Sequence, residues 1–130
     1  MPEGSEIAGF SGQPVVLLRH TGGGKPDHYD WMIQEGSEPE SPLQTWRVMV
    51  RLDELKPGDW FIAEPVVDHR AAYLTYEGPV SGGRGEVQRV ARGVALVRGT
   101  EIEMNWNGRA KQRLVGTKVD DQSWRFAVRE

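Results

Sequence analysis

Apolar and polar residues alternate in short runs along this chain, and nearly every run is broken by glycine, proline or a polar pair before it reaches helical length. Sixteen glycines and eight prolines in 130 residues supply the breaks. Period-two alternation with turn residues at close spacing is the signature of β-strands in a small all-β domain. Pro14 to Arg19 reads as a buried strand ending at His20, Thr21 to Asp27 as a Gly-rich loop, and His28 to Gln34 as the next strand, so the pair is a hairpin. In that second strand His28, Asp30, Met32 and Gln34 share one face, and Tyr29, Trp31 and Ile33 the other. Thr45 to Leu52 alternates again, with Trp46, Val48, Val50 and Leu52 on its apolar side. Trp60 to Val67 is a strand that Pro65 confines to an edge or a bulge. Asp53 to Asp59 and Asp68 to Tyr76 each leave room for one helical turn. Short strands follow at Gly85–Val90, Gly93–Arg98, Glu101–Trp106, Ala110–Val115 and Ser123–Val128, with Asn107-Gly108 as a two-residue hairpin turn. About eight short strands and no long helix make a small barrel or sandwich.

A chain of 130 residues has room for one domain with one core. The expected organisation is a loosely ordered segment over 1–13 and a single domain over 14–130. The absence of cysteine excludes disulfides, thiolate catalysis and Cys-ligated zinc, and fits a reducing compartment. No apolar run approaches the roughly 20 residues that span a bilayer, and Met1 to Gln13 lacks the pattern of a secretory signal. A cytoplasmic protein without membrane contact is expected.

The net charge of −3 is unevenly spread. Residues 1–64 carry 5 Lys/Arg against 11 Asp/Glu, and residues 65–130 carry 11 against 8. Nine of the twelve arginines lie in the second half. Arginine is the residue suited to bidentate phosphate contacts, so the asymmetry suggests an anionic partner. Its plainer reading is a set of arginines solvating the outer faces of strands.

All three histidines stand beside carboxylates or tyrosines: His20, His28-Tyr29-Asp30, and Asp68-His69 followed by Tyr73. His28 and Asp30 leave one face of a strand, and His20 sits at the end of its hairpin partner. Two imidazoles and a carboxylate on one face can seat a divalent transition metal with open positions, with Asp27 or Asp68 taking a ring N–H in support. The alternative is that these are structural histidines satisfied on a β-surface. Gly22-Gly23-Gly24-Lys25 lacks the Ser/Thr and following helix of a phosphate-binding P-loop. Ser81-Gly82-Gly83-Arg84-Gly85 is a tight turn that offers one arginine.

In order along the chain, His20, His28-Tyr29-Asp30, Thr45-Trp46-Arg47-Val48, Asp68-His69…Tyr73 and Tyr76-Glu77-Gly78 resemble the motifs of the 3′-phosphoesterase domain of bacterial and archaeal ligase D DNA-repair proteins. The likeness extends over about residues 14–129. It implies a small closed or partly open β-barrel, mainly β, of about eight short strands with one or two helical turns. It also implies a divalent cofactor, manganese first, with zinc, cobalt or nickel admitted. The implied activity is removal of a 3′-terminal ribonucleoside or 3′-phosphate from a primer strand. Carried over by position, His20, His28 and Asp30 are metal ligands, His69 acts on the scissile phosphate, and Tyr73 supports it. The partner implied is nucleic acid with a 3′ end, such as primer–template DNA, with any ligase or polymerase as a separate repair protein. The chain itself is expected to be a monomer.

The departures from the family pattern concern charge. Met32 stands where the family carries a phosphate-binding arginine, and Phe61 and Val67 align with an arginine and a glutamate. Met49-Val50-Arg51 replaces Pro-Lys-Gly, so Arg51 substitutes for the lysine only with a shift of register. The glycine turn is shorter, leaving Arg84 near a position filled differently. Arg51 and Arg84 are the candidate phosphate-binding residues, with Arg47 as a further replacement. Two other functions fit the same residues: a non-catalytic nucleic-acid or repair-complex module of the same fold, and a phosphoesterase for a small anionic substrate.

Overall fold

The computed structural model describes residues 12–130 as nine antiparallel strands and two 3₁₀ turns. The strands are β1 (Gln13–Thr21), β2 (His28–Gln34), β3 (Leu43–Val48), β4 (Trp60–His69), β5 (Gly78–Pro79), β6 (Glu86–Arg98), β7 (Glu101–Trp106), β8 (Gln112–Asp120) and β9 (Ser123–Arg129). The 3₁₀ turns, Leu52–Glu54 and Ala71–Leu74, fall in the two segments left open to a helical turn. Sheet order is β1-β2-β3-β4-β9-β8-β7-β6-β5, and β1 also pairs with β6. Eight strands therefore close into a barrel, and β5 is an extra strand laid beside the start of β6. Most of the segment expected to be loose lies outside the described residues, although Gln13 already belongs to β1. Among the described residues no helix is long and apolar enough to cross a membrane.

Alternation sorts the side chains into two clusters. Val15, Leu17, Trp31, Ile33, Trp46, Val48, Phe61, Met104, Trp106, Leu114 and Phe126 point inward from all around the barrel and form its core. The opposite faces of β1, β2, β3 and β6 contribute a second cluster of Val16, Leu18, Met32, Leu43 and Val87, joined by Val80. Tyr73 and Leu74, from the segment that follows β4, pack against this cluster from outside. The uninterrupted apolar run Val15-Val16-Leu17-Leu18 is thus a strand buried on both sides, which explains why it does not alternate. Trp31 and Trp46 bury their indole N–H groups without a partner. Edge-to-face contacts with Phe126, at centroid distances of 5.2 and 5.3 Å, accompany that cost.

Several boundaries differ from expectation, each for a physical reason. β3 spans Leu43–Val48 and not Thr45–Leu52, because the chain leaves the sheet at exposed Met49 and Val50. Leu52 then turns into the core through the first 3₁₀ turn, where Gln112 Nε2 donates to the Leu52 and Leu55 carbonyls at 2.8 and 3.0 Å. Pro65 is accommodated as a local edge: β4 pairs with β9 only over Trp60–Ala63, so beyond that point only β3 flanks it. The two strands expected on either side of Arg92-Gly93 are one long strand, β6. Gly93 is needed there for close approach, since a Cβ would lie 2.2 Å from the Asn105 carbonyl oxygen. At Asn107-Gly108 only Gly108 has a positive φ (78°), so the turn is not the mirror-image type expected of a two-residue hairpin, and pairing resumes at Gln112.

The Gly93→Ala variant tests this packing. Its backbone angles suit alanine, so the predicted loss is the cost of overpacking, about 1–3 kcal/mol, read by urea unfolding. An unchanged midpoint would show that β6 and β7 are not held at this separation.

Candidate metal centre

The β1–β2 register brings the first three functional candidates together. His20 lies directly opposite His28, and Leu18 lies opposite Asp30. Cross-strand partners share a face, as do residues i and i+2. His20, His28 and Asp30 therefore all project outward from the barrel wall, on the side of the second cluster. The ring centroids are 4.7 Å apart. Asp30 Oδ2 is 2.8 Å from His20 Nδ1, and Asp30 Oδ1 is 3.2 Å from His28 Nε2. The three ligand atoms lie within 4.8 Å of one another.

Hydrogen bonds on the far side of each ring fix which nitrogen is available. His28 Nδ1 sits 3.0 Å from the Pro26 carbonyl, and His20 Nε2 sits 2.7 Å from the Arg84 carbonyl. A carbonyl oxygen only accepts, so each of those nitrogens carries a proton and donates it. In the neutral rings the other nitrogen, Nδ1 of His20 and Nε2 of His28, presents a lone pair to the same carboxylate. Lone pairs facing carboxylate oxygens repel unless both rings take a second proton or a cation lies among the three groups. Asp30 and His28 are only 4% and 7% exposed, so water does little to relieve that repulsion.

The donor set fits a divalent cation. Bonds of about 2.0–2.2 Å place neighbouring ligand atoms roughly 2.8–3.6 Å apart in tetrahedral or octahedral arrangements, and the two separations to Asp30 fall in that range. Carbonyls that accept the outer N–H of each ring are the usual support for metal-bound histidine. His20, His28 and Asp30 are thus the residues that could hold a metal.

Glycines bring the Arg84 carbonyl to His20. Gly22, Gly23 and Gly24 all have φ near +80°, which residues with a Cβ rarely adopt. A Cβ on Gly23 would lie 2.6 Å from the Arg84 backbone, and one on Gly85 would lie 2.1 Å from the Thr21 carbonyl oxygen. The two glycine turns therefore touch backbone to backbone beside the centre.

An open cleft of about 220 Å³ adjoins the cluster. His20 and Asp30 form one wall, Met32, Val80 and Val87 an apolar floor, and Asp68, His69, Arg70, Tyr73 and Arg84 the remaining rim. A bulge in the β3–β4 ladder between Leu43 and Thr45 places His69 opposite Leu43, on the cleft face. His69 Nδ1 donates to the Val67 carbonyl at 3.0 Å, which leaves Nε2 for a ligand. The ring meets Tyr73 edge-on at 5.5 Å. Arg84 is steadied by donating from Nε and Nη2 to Ser81 O and Oγ at 2.7 and 3.1 Å.

The candidates His20, His28, Asp30, His69, Tyr73 and Arg84 thus lie in one neighbourhood, and Arg51 does not. Arg51 forms a two-pronged pair with buried Asp53, at 2.9 and 2.8 Å, outside the cleft. That pair holds its guanidinium proton more tightly than usual. Arg47 is paired with Glu64 at 3.6 Å. Phe61 is a core residue stacked on Phe126, so its alignment with a family arginine has no bearing on the site. Met32 and Val67 do line the cleft. The residue that sequence reasoning passed over is Arg70, for which the only signal was its place next to His69. The chain matches no family model and no curated protein.

Two predictions follow from this geometry. Adding Mn²⁺ or Zn²⁺ at about a hundred times its dissociation constant should stabilise the protein by about 2.7 kcal/mol. The thermal shift should vanish in Asp30→Asn, and an equal shift in that variant would rule out the three-residue centre. The second concerns Glu35, whose carboxyl is held above its ordinary pKa by a hydrogen bond and like charge from Asp68. A raised carboxyl pKa in the fold favours the native state below the ordinary value, and the benefit is lost as pH rises through the raised one. Glu35 is exposed, so the effect is small and salt-screened. Glu35→Gln should remove the loss of stability that begins as pH rises past the ordinary carboxyl range in low salt, and an unaltered slope there would contradict the coupling.

Proposed function

We propose that this protein is a divalent-metal-dependent phosphoesterase that processes 3′ ends of nucleic acid, removing a 3′-phosphate or a 3′-terminal ribonucleoside in DNA repair. The observation that carries the reading is the pair of imidazoles, each with its outer N–H held by a carbonyl, aimed at one buried carboxylate beside a cleft that holds a third histidine. The ordered motifs shared with the 3′-phosphoesterase domain of ligase D proteins supply the substrate class. Manganese is the cation favoured by that resemblance, and zinc, cobalt and nickel suit the same ligands.

His20, His28 and Asp30 would hold the cation, which when bound supplies Lewis-acid polarisation of a phosphoryl oxygen. The protein's own groups do the rest. Hydrolysis forms a bond from water oxygen to phosphorus and breaks the bond from phosphorus to the leaving oxygen, which must gain a proton. His69, anchored through Nδ1, presents Nε2 to the cleft; with its second proton in place it can bond a phosphoryl oxygen or protonate the leaving oxygen. Tyr73 packs against the His69 ring and limits its rotation. Arg84, with its turn locked by Ser81, offers its remaining N–H groups to the anion.

A primer–template ending in a 3′-phosphate should lose it in the presence of Mn²⁺. His69→Ala should slow the single-turnover step by about 10²–10⁴-fold while leaving the metal-induced thermal shift intact. No trimming, or trimming indifferent to both His28→Ala and His69→Ala, would reject the reading.

A second reading is a non-catalytic nucleic-acid module of the same fold. It is favoured by Met32 and Val67, apolar groups in a cleft where a phosphoryl-transfer site needs charge. It predicts binding with a steep salt dependence and no cleavage.

A further inference from the structure

The cleft needs a positive group to stand in for the arginine missing at Met32, and the three arginines weighed for that role are wholly or partly engaged. Arg51 is held by Asp53, Arg47 is paired with Glu64, and Arg84 gives two of its donors to Ser81. Arg70 also lines the cleft, is exposed, and immediately follows His69. Among the described residues it has no carboxylate within ion-pair distance, and its guanidinium donates no hydrogen bond. Its backbone is nonetheless fixed. Arg70 is extended (φ −72°, ψ 148°) where β4 gives way to the 3₁₀ turn, and its carbonyl accepts from Tyr73 N–H at 3.0 Å.

We propose that Arg70 is a phosphate-binding residue of this cleft beside Arg84, supplying from the segment after β4 the charge that Met32 does not supply from β2. The proposal rests on the phosphoesterase reading for its ligand, a terminal phosphate group, but not on turnover. Charge counting supports it. Apart from the histidines, the ionised groups lining the cleft are Asp30 and Asp68 against Arg70 and Arg84, which cancel. A divalent cation then leaves a charge of two, matched to a phosphate monoester dianion. Without Arg70 the balance falls to one, short of what the dianion needs. A guanidinium with no partner among the described residues can also grip two phosphate oxygens at once, which a lysine cannot do.

Inorganic phosphate titrated into the protein with Mn²⁺ present, followed by calorimetry, tests this directly. The Arg70→Ala variant should bind phosphate about ten- to a hundredfold more weakly, the loss expected for one charge-assisted contact. Arg70→Lys should recover part of the loss, and Mn²⁺ affinity should stay within about twofold of the parent protein in both. Phosphate affinity unchanged in Arg70→Ala, no phosphate binding by the parent protein, or a parallel loss of Mn²⁺ affinity would each overturn the proposal. The two readings fail separately. Arg70-dependent phosphate binding in a protein that trims no 3′ end refutes the phosphoesterase and leaves Arg70 in its role. Trimming and phosphate binding that both ignore Arg70→Ala refute Arg70 alone.

Discussion

Everything in this fold hangs on β1 being hydrogen-bonded along both edges, to β2 on one side and to β6 on the other. That double pairing closes the barrel and leaves β1 no free edge. Both faces of its central run are buried as well, the inner one by the core and the outer one by the cluster around Met32 and Leu43. The register of the first pairing sets His20 opposite His28, and that of the second sets His20 opposite Val87 on the cleft floor. A slip of one residue in the first register would leave His20 and His28 on opposite faces of the wall. The residue Val90, left without a β1 partner where the register shifts between Leu17 and Leu18, lets β6 follow β1 around the wall without losing that alignment.

The centre is built against the solvation preference of its own groups. A carboxylate with 6% of its side chain exposed, with two histidines and, among the described residues, no lysine or arginine within ion-pair distance, is costly in a protein interior. Structural ion pairs elsewhere in the molecule look different. Buried Asp53 is answered by both Arg51 and Arg109, at 2.8 and 3.2 Å, so its charge is compensated by permanent cations. Among the described residues Asp30 has only imidazoles within ion-pair distance, and each is turned by a backbone carbonyl to show Asp30 its other nitrogen. The contrast between the two aspartates separates an architectural carboxylate from one arranged for a ligand.

Much of this was legible from local patterns. The bounds of β2 coincide with its alternation, and His28 with Asp30 on one face follows from period two alone. Barrel closure was legible as a class and not as a topology, because pairing of β1 with β6 is a long-range contact with no local signature. Gly93 reads as a break in the sequence because glycine signals both turns and close backbone approach, and only the neighbouring strand decides between them. Arg51 is read as a phosphate-binding candidate because counting positions assumes that the chain stays in the sheet beyond Val48. That assumption fails where Leu52 turns into the core, and the position aligned with a family arginine, Phe61, faces inward opposite Phe126 on β9. Arg70 was missed because the bulge that aims the end of β4 at the cleft leaves no mark on residue types.

On the proposed reading, the layout separates the two tasks a phosphoester site must perform. The groups suited to a cation stand on a rigid hairpin inside the barrel wall, where register and burial leave little room for change. The groups suited to an anion stand on the segment from Asp68 to Arg84, which lies over the wall and includes a 3₁₀ turn and glycine turns. Substitution in that segment beyond His69 alters charge in the cleft without disturbing a barrel strand, whereas an arginine at position 32 must share the buried outer cluster with Leu18 and Leu43. Burying an arginine there requires a constant counter-charge. Methionine removes that demand and fills the space with apolar volume. Moving the cation to the exposed rim therefore exchanges strength per contact for freedom to vary, since an exposed guanidinium is screened by water and salt in a way that a buried one is not.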